Sequence, residues 1–315
     1  MESENHPKHK AGFVNIVGNP NVGKSTLMNA LVGERISIIT SKAQTTRHRI
    51  LGIVNTDDMQ IVFSDTPGVL RPVSKLQESM LAFSQSALQD ADILLYLTDT
   101  VESPEKNEQF LAKVKQLTIN NEELTNSGLS SSSPHVIVVL NKMDLVDQDT
   151  LVKLVEEWHQ RLPDAEIIPI SALHGFGTDL LMSKIKELLP ECPPYFEKDA
   201  LTDKPARFFV TEIIREKILL LYDKEIPYSC EVSVESFKED ETIIHISAII
   251  YCERESQKGI LIGHKGAMLR RLGTMARKDI EAFFNKKVML TTFIKVEPNW
   301  RNNPRDLNRF GYNPE

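Results

Sequence analysis

The most specific chemical pattern in this sequence is the string Gly18-Asn19-Pro20-Asn21-Val22-Gly23-Lys24-Ser25. It fits G-x-x-x-x-G-K-[ST], a loop whose main-chain N–H groups surround nucleotide phosphates. In such a loop the lysine reaches the β- and γ-phosphates and the serine hydroxyl binds Mg²⁺. We therefore expect nucleotide binding by Gly18, Asn19, Asn21, Val22, Gly23, Lys24, Ser25 and Thr26. Lys24, which would contact the γ-phosphate, is also a candidate catalytic residue. This loop alone leaves ATPases and kinases open.

Three later motifs favour a guanine nucleotide. In Asp65-Thr66-Pro67-Gly68, the aspartate is placed to hold Mg²⁺ and the Gly68 N–H to sense the γ-phosphate, which makes Gly68 a second catalytic candidate. In Asn141-Lys142-Met143-Asp144, the last carboxylate can accept hydrogen bonds from N1–H and N2–H₂ of guanine. Adenine lacks that pair of donors, so such a pocket discriminates strongly. We expect Ser171-Ala172-Leu173 to close over the base.

The elements that must position these motifs alternate between strands and helices. Apolar runs predict buried strands at Phe13–Val17, Gln60–Ser64, Ile93–Leu97, Val136–Leu140 and Glu166–Ile170. Helical patterns lie between them, at Ser25–Leu31, Leu151–Leu162 and Leu180–Leu189. This alternation predicts an α/β domain with a mostly parallel sheet and helices on both faces. All four motifs then lie at carboxyl ends of strands, where open α/β sheets bind their ligands.

Composition and charge indicate the class of protein and its division into domains. The chain has 315 residues, of which 41% are hydrophobic and 26% are charged, so we expect about two globular domains. No apolar run approaches the ~20 residues of a membrane-spanning helix. The first ten residues resemble neither a signal nor a transit peptide, and the three cysteines are far apart. A cytoplasmic location is the default expectation.

A proline-rich segment, residues 190–194, predicts the boundary between the two domains. We expect a flexible N-terminus at 1–10, a nucleotide-binding domain at 11–190, a linker at 191–204, a second domain at 205–298 and a tail at 299–315. Residues 118–134 predict a solvated polar loop. In the second domain the patterns predict a small α+β unit, with helices at 207–222, 256–262 and 268–284 and strands around 230–234, 244–250 and 288–296.

The second domain has a pattern typical of RNA binding. Gly263-His264-Lys265-Gly266 lies between two predicted helices, and a G-x-x-G loop in that place is the KH signature. The net charge of the chain is −7, yet residues 258–309 carry 12 basic and four acidic side chains. We expect RNA contacts from Ile262, Gly263, His264, Lys265, Gly266, Arg270, Trp300 and Arg301. For Trp300 there are two interpretations, stacking on unpaired bases or packing onto the domain.

These strings together resemble those of the Era family of translation-factor-related GTPases over nearly the whole chain. Two further strings carry the resemblance, Lys42-Ala43-Gln44-Thr45-Thr46-Arg47-His48-Arg49 and Asn299-Trp300-Arg301-Asn302-Asn303-Pro304. The resemblance implies a P-loop GTPase domain followed by a type II KH domain. It makes 44–48 the first switch loop, with Thr46, more than Thr45, as a catalytic residue and a ligand of Mg²⁺ beside Ser25 and Asp65. Val69 stands where many small GTPases have a water-orienting glutamine.

The same resemblance implies partners and leaves alternatives open. It implies GTP hydrolysis, binding of the 3′ end of small-subunit (16S) ribosomal RNA and a role in maturation of the 30S subunit. Asn21 would bind K⁺ as a second cofactor, or it is only a turn former. Peripheral association with the inner membrane is a further implication, and we expect a monomer that does not bind DNA. The alternatives are an RNA chaperone that binds GTP with little turnover, and a GTPase component of an RNA-modifying enzyme.

Overall fold

The computed structural model describes residues 9–68, 71–102, 111–114, 116 and 134–312. The chain forms two compact units. The first consists of residues up to 37, 46–70 and 81–203, and the second of residues 38–45, 71–80 and 204 onwards. Within the described ranges, every helix is too short or too polar to cross a lipid bilayer. Val69 and most of the 118–134 loop lie outside the described residues.

The first unit is a six-stranded sheet flanked by helices. Its strands are β1 (Lys10–Gly18), β2 (Ile50–Asn55), β3 (Met59–Asp65), β4 (Ile93–Asp99), β5 (His135–Asn141) and β6 (Glu166–Pro169). Its helices are α1 (Lys24–Val32), α2 (Lys75–Gln89, whose first residues belong to the second unit), α3 (Gln148–Arg161) and α4 (Thr178–Leu188). The strand order is β2-β3-β1-β4-β5-β6, and only the β2–β3 pairing is antiparallel. The predicted fold class is confirmed for this unit.

Both faces of this sheet are buried, which explains the continuous apolar strands. Val14 and Ile16 of β1 pack into one core together with Leu27 of α1. Leu94 and Tyr96 of β4 pack into a second core on Trp158 of α3. Side chains alternate between faces along a strand, so a strand with helices on both sides needs apolar residues at nearly every position.

The predicted linker at 191–204 is corrected by the structure, because residues up to 203 belong to the first unit. The main-chain N–H groups of Tyr195 and Phe196 donate to Oε1 of buried Gln60 on β3. The N–H of Ile53 on β2 donates to the carbonyl of Leu201, 2.8 Å away. The segment therefore satisfies polar groups along the β2–β3 end of the sheet. At the other terminus, β1 already begins at Lys10, inside the predicted flexible segment.

The second unit contains a three-stranded sheet with helices on one face. Its helices are α5 (Ala206–Leu221), α6 (Ile226–Ser229), α7 (Glu255–Ile262) and α8 (Ala267–Phe284), and its strands are β7 (Glu231–Glu239), β8 (Ile243–Cys252) and β9 (Lys287–Val296). The order is β7-β8-β9, with β7 antiparallel and β9 parallel to β8. Alternate residues of the strands, such as Ile246 and Val288, pack with Leu272 and Ile280 of α8 in one core. The predicted α+β unit is confirmed.

Candidate functional site

The phosphate loop joins the end of β1 to the start of α1. Asn21 and Gly23 adopt positive φ angles of 67° and 101°, which turn the chain back toward the helix. A Cβ atom at Gly23 would lie 2.4 Å from Nδ2 of Asn141, so only glycine fits between the loop and that side chain. The loop is thus held against the residues that follow β5, where the base-recognition motif lies.

Lys24 is a buried cation inside this loop. Its ammonium donates to the carbonyl oxygens of Gly18, 3.0 Å away, and Asn19, 2.7 Å away. Burial lowers the pKa of Lys24 to about 8, against the opposing effect of the Asp65 and Glu102 charges. A desolvated ammonium gains more from an arriving phosphate than a hydrated one would. The geometry therefore fits the predicted role of Lys24 as a phosphate ligand.

Three oxygen-bearing side chains converge at the start of α1. The Ser25 hydroxyl donates to Oδ2 of Asp65, 2.7 Å away, and lies 2.9 Å from the Thr46 hydroxyl, which is itself 3.2 Å from that oxygen. The antiparallel pairing of β2 with β3 sets Ile50 opposite Asp65. This register brings the residues just before β2, including Thr46, close to the aspartate. The three residues predicted to bind metal are therefore brought together.

The donor set at this point fits Mg²⁺. Asp65 is fully buried, and its burial raises the pKa of its carboxyl above the ordinary value. Its second oxygen, Oδ1, is buried and has no hydrogen-bond partner among the described residues. Two hydroxyls and a carboxylate are hard oxygen ligands of the kind that hold Mg²⁺ together with substrate phosphates. A divalent ion would satisfy the free oxygen and offset the cost of burying the charge.

The two threonines of the switch loop are used differently. The Thr45 hydroxyl lies 2.6 Å from the carbonyl oxygen of Lys42 and 2.6 Å from the Thr40 hydroxyl, so it stabilises the loop itself. Thr46 is the one whose hydroxyl reaches Ser25 and Asp65. The geometry favours Thr46 as the metal ligand.

The residues after β3 bring the second motif against the phosphate loop. The Thr66 hydroxyl donates to the carbonyl of Ile16 on β1, 2.8 Å away, which places Thr66 in a structural role. The carbonyl of Pro67 accepts a hydrogen bond from Ser84 on α2, 2.6 Å away. A Cβ atom at Gly68 would lie 2.8 Å from Nζ of Lys24. Gly68 is therefore adjacent to the lysine that would hold the γ-phosphate.

Asn141 connects the phosphate loop to the loop after β6 through two hydrogen bonds. Its Nδ2 donates to the carbonyl of Val22 at 2.8 Å, and its Oδ1 accepts from the N–H of Ala172 at 3.0 Å. One side chain thereby ties the phosphate loop to the loop after β6. Both polar ends of this buried amide are already paired within the protein. We infer that Asn141 contributes to nucleotide binding by positioning, while Asp144 is left to contact the base.

Lys142 immediately precedes a short 3₁₀ helix (Met143–Leu145) that follows β5, and Asp144 is the middle residue of that helix. The Lys142 ammonium donates to the carbonyl of Asn21 and pairs with Asp99 at 2.5 Å, so it too connects to the phosphate loop. The pKa of Asp144 is held below its ordinary value, chiefly by the Ser171 hydroxyl. An ionised carboxylate is the acceptor that guanine recognition needs. Ala172 is buried, whereas the Leu173 side chain is 74% exposed.

Two acidic residues that the sequence motifs do not indicate lie beside the phosphate loop. Asp99 ends β4, accepts from the main-chain N–H groups of Val101 and Glu102, and pairs with Lys142. The Glu102 carboxylate accepts a hydrogen bond from the Asn19 amide. The place of Asp99 at the carboxyl end of a buried strand was a usable signal. Nothing in the sequence pattern pointed to Glu102.

The G-x-x-G loop of the second unit is a tight turn between α7 and α8. Gly263 and Gly266 have φ angles of 70° and 76°, and Lys265 also has a positive φ of 49°. This backbone turns His264, Lys265 and, on the first turn of α8, Arg270 into exposed positions. The Tyr222 hydroxyl donates to the carbonyl of Leu261 at 2.8 Å and fixes the end of α7. Ile262 is half-buried beside the loop.

The expectation that Trp300 stacks on RNA is corrected by the structure. The tail forms a short 3₁₀ helix (Trp300–Asn302) and α9 (Pro304–Arg309). The Trp300 indole is 0% exposed, donates from Nε1 to the carbonyl of Ser229 at 2.9 Å and packs edge-on against Phe310. A ring buried in this way has no free face for a base. Arg301 is also engaged, in a 2.5 Å ion pair with Glu253.

Comparison with known proteins agrees with both halves of the chain. A family model described as a 50S ribosome-binding GTPase matches residues 13–142, and one described as a KH domain matches residues 225–301. GTPase Era of Syntrophus aciditrophicus (strain SB) is 45% identical over 306 residues, which cover 96% of this chain and 95% of that protein. GTPase Era of Geotalea daltonii is 44% identical over 303 residues, with 96% and 97% covered.

Two solved structures resemble the whole chain. Era in complex with MgGDPNP and nucleotides 1506–1542 of 16S ribosomal RNA has a TM-score of 0.85 at 38% identity, covering 96% of this chain and 99% of its own. A variant of Aquifex aeolicus Era bound to GDP and AlF₄⁻ gives the same values. Both matches extend over the first unit, which contains the GTPase model match, and the second unit, which contains the KH model match. We call the second unit the KH unit below. This protein therefore belongs to the Era family of GTPases.

Proposed function

We propose that this GTPase is a switch that binds the 3′ end region of 16S ribosomal RNA and acts in maturation of the 30S subunit. The convergence of Ser25, Thr46 and Asp65 beside Lys24 carries the nucleotide half of the proposal. The RNA half rests on the exposed G-x-x-G loop and on the similarity to an Era structure that holds nucleotides 1506–1542 of that RNA.

In the proposed reaction Ser25, Thr46 and Asp65 would hold Mg²⁺, which would supply positive charge to the phosphates. Lys24 would move its ammonium from the loop carbonyls to the β- and γ-phosphates. The N–H of Gly68, close to that ammonium, would donate to the γ-phosphate. Loss of the γ-phosphate would remove the acceptor of the Gly68 N–H and one oxygen ligand of the ion that Thr46 holds, so both segments would be released. The state of the nucleotide would in this way set the conformation of the switch.

Potassium is a second cofactor in this proposal, with Asn21 as its protein ligand. Asn21 is exposed at the phosphate loop, and its own carbonyl accepts from Lys142. Its positive φ of 67° is equally what a turn-forming asparagine adopts. Hydrolysis rates in K⁺ and Na⁺ buffers distinguish the two roles. A higher rate in K⁺ that is lost in Asn21→Ala supports the ligand role, and equal rates leave only the turn.

The direct test of the proposed function uses the purified full-length chain. We expect turnover of GTP with Mg²⁺, and binding of a labelled 3′-terminal 16S RNA segment that survives an excess of unrelated RNA. A matched pair of variants, Gly266→Asp and Gly266→Asn, isolates charge from shape, since both side chains tolerate positive φ. Loss of RNA binding in the aspartate variant alone supports contact between the loop and a phosphate. Binding indifferent to both would contradict it.

A GTP-binding RNA chaperone without turnover is the alternative function. It predicts tight binding of GTP and of RNA, with GDP and phosphate formed no faster than in the absence of protein. The depressed pKa of Lys24 and the free Asp65 oxygen fit the binding of a charged phosphate–metal complex, which both functions require. Measurement of phosphate release over many turnovers decides between the two. A cytoplasmic location, a monomeric state and peripheral membrane association stay predictions.

A further inference from the structure

The second unit has a second surface with side chains suited to RNA, on the face of its sheet that the helices do not cover. Along β9, alternate residues point away from the core and are exposed: Lys287, Met289, Thr291, Phe293 and Lys295. Met289 is 55% exposed and Phe293 is 54% exposed, which is unusual for large apolar side chains on a strand. We call this row, with Ile249 beside it on β8, the outer β9 face.

The tail covers one end of this sheet face and leaves the outer β9 face open. Arg309 of α9 lies over the ring of Tyr251, with its guanidinium carbon 4.9 Å from the centroid, and Phe310 contacts the same ring. Tyr251 is only 7% exposed as a result. Two residues earlier on β8, Ile249 pairs in register with Phe293. Phe293 therefore has Ile249 as its apolar neighbour on β8, and it stays exposed beside the described part of the tail.

The charges of this row favour a polyanion as the occupant. Lys287 and Lys295 stand at its two ends, and the outward side chains of β9 between them carry no acid. Eight residues of strand at ~3.3 Å each separate the two lysines by roughly 26 Å. Lys295 is 56% exposed although it also approaches Glu297 at 3.5 Å. A surface that binds another protein through apolar contacts is typically broader than the patch formed by Phe293, Met289 and Ile249. The patch therefore fits RNA better than a protein partner.

The position of β9 connects this row to the G-x-x-G loop. β9 is an edge strand of the sheet, and α7, which ends at that loop, packs against it. An RNA strand leaving the loop would have to pass the β9 edge to reach the outer β9 face. Open sheet faces with exposed aromatic rings bind single-stranded bases by stacking, because every base has a π-face.

We infer that the outer β9 face is a second binding site for single-stranded RNA, in which Phe293 stacks on a base and Lys287 and Lys295 contact phosphates. The inference rests on the RNA-binding function proposed above and extends the bound RNA beyond the G-x-x-G loop. The site requires no rearrangement of the core, since all three side chains are already exposed.

The test compares two lengths of the same labelled 3′-terminal 16S RNA, about five and about 15 nucleotides, on the full-length chain. A KH loop clamps about four nucleotides, so the short RNA reports on the loop alone. Phe293→Ala should weaken binding of the long RNA about tenfold and leave the short RNA unchanged. Phe293→Trp should restore the long-RNA affinity. Leu220→Ala, which removes another exposed apolar side chain of the same unit, is the matched control and should change neither.

Each failure has its own signature. If the wild-type chain binds neither RNA, the proposed function fails. If Gly266→Asp weakens both RNAs while Phe293→Ala changes neither, the loop binds RNA and the outer β9 face does not. Crosslinking of RNA that contains 4-thiouridine gives a direct readout, with crosslinked peptides expected within 287–295. Crosslinks confined to the G-x-x-G region would overturn the inference. A dimer of the wild-type chain that Phe293→Ala dissociates would also overturn it, because a second copy would then occupy the face.

Discussion

The nucleotide site and the G-x-x-G loop, which we propose to bind RNA, are organised in opposite ways. At the nucleotide site the functional side chains bond to one another: Ser25 and Thr46 meet on Asp65, and Asn141 joins two loops. At the G-x-x-G loop, His264, Lys265 and Arg270 are exposed on a turn of unusual backbone geometry. The nucleotide site is assembled largely from buried or half-buried side chains, and the G-x-x-G loop from backbone shape and surface charge.

This difference follows from the ligands. A nucleotide with a metal ion is compact, and groups held in advance around it lose little freedom on binding. A single strand of RNA is long and flexible, and its affinity comes from many phosphate contacts and stacked bases. We therefore expect single substitutions to have large effects at the nucleotide site and small, salt-dependent effects at the RNA surface.

Asp144→Asn should have the largest effect on function. It removes the acceptor for two guanine donors, each hydrogen bond to a charged group contributing about 1.5–3 kcal/mol, so GTP affinity should fall on the order of 10³-fold. Xanthosine triphosphate has a carbonyl in place of the amino group, and the new amide can donate to it. Fluorescent-nucleotide titration should show the variant preferring the xanthine nucleotide.

The control for that substitution is Asp147→Asn. Asp147 caps α3 by accepting from the N–H of Thr150, and asparagine caps a helix about as well. Its nucleotide preference should be unchanged. If Asp144→Asn still preferred GTP, the assignment of base recognition to this carboxylate would be incorrect.

Trp300→Ala should be the most damaging change in the second unit, and its damage should be to stability. Removal of a fully buried indole costs about 3–5 kcal/mol, and the loss of the bond to Ser229 adds to this. Trp300→Phe keeps most of the packing and should cost less. Denaturant unfolding gives these values, and RNA titration of the folded Trp300→Phe protein should match the wild type. If the folded Trp300→Phe protein lost RNA affinity, Trp300 would have to contribute to RNA binding, and the conclusion that it only packs onto the domain would be wrong.

Lys24 should make nucleotide affinity depend on pH in the alkaline range. The pKa of Lys24 is about 8 in the nucleotide-free protein, and bound phosphates raise it. Below about pH 8 the lysine is protonated in both states, so affinity is flat. Above it, binding must take up a proton, and affinity should fall up to about tenfold per pH unit. In Lys24→Arg the cation stays charged, so whatever affinity remains should be flat up to about pH 9. If affinity fell with pH equally in the wild type and in Lys24→Arg, deprotonation of Lys24 would not be the cause.

Lys265→Ala should have the smallest effect of the four. The loss of one exposed phosphate contact should weaken RNA binding only a few-fold and lower the salt slope by about 0.7. Lys258, on α7 outside the G-x-x-G string, provides a control substitution of the same type. Titration at several salt concentrations measures the slope. An effect of 100-fold or more would mean that the loop, like the nucleotide site, depends on single side chains.

The motifs could be placed from the sequence because they are local strings at the ends of strongly apolar strands, and the structure brings Ser25, Thr46 and Asp65 together. The sequence did not predict β2, since Ile50–Asn55 contains a glycine and follows a polar loop, and its pairing with β3 depends on contacts distant in sequence. The bracing role of Asn141 was also hidden, because it depends on two loops that are 119 and 31 residues away.

The tail shows more clearly that contacts distant in sequence cannot be inferred from a local pattern. An aromatic residue in a polar Asn/Pro segment is equally compatible with an exposed stacking ring and with a buried anchor. Leu307 and Tyr312, which are buried with Trp300, were the available sign of packing. On β9, by contrast, Met289 and Phe293 lie on the face of the strand opposite to the core residues Val288 and Ile294. This alternation is visible in the sequence.

The most direct test of the central claim is RNA crosslinking and sequencing in the native cell, with the wild type, Gly266→Asp and Gly266→Asn. A Cβ atom added at this glycine would have no protein atom within 4 Å beyond its chain neighbours, so the substitution adds a charge without a clash with the core. We predict reads concentrated at the 3′ end of 16S ribosomal RNA for the wild type, their loss in Gly266→Asp, and substantial retention in Gly266→Asn. Scattered reads, or reads at the 3′ end that are the same in all three proteins, would contradict the account of the KH unit as the RNA reader.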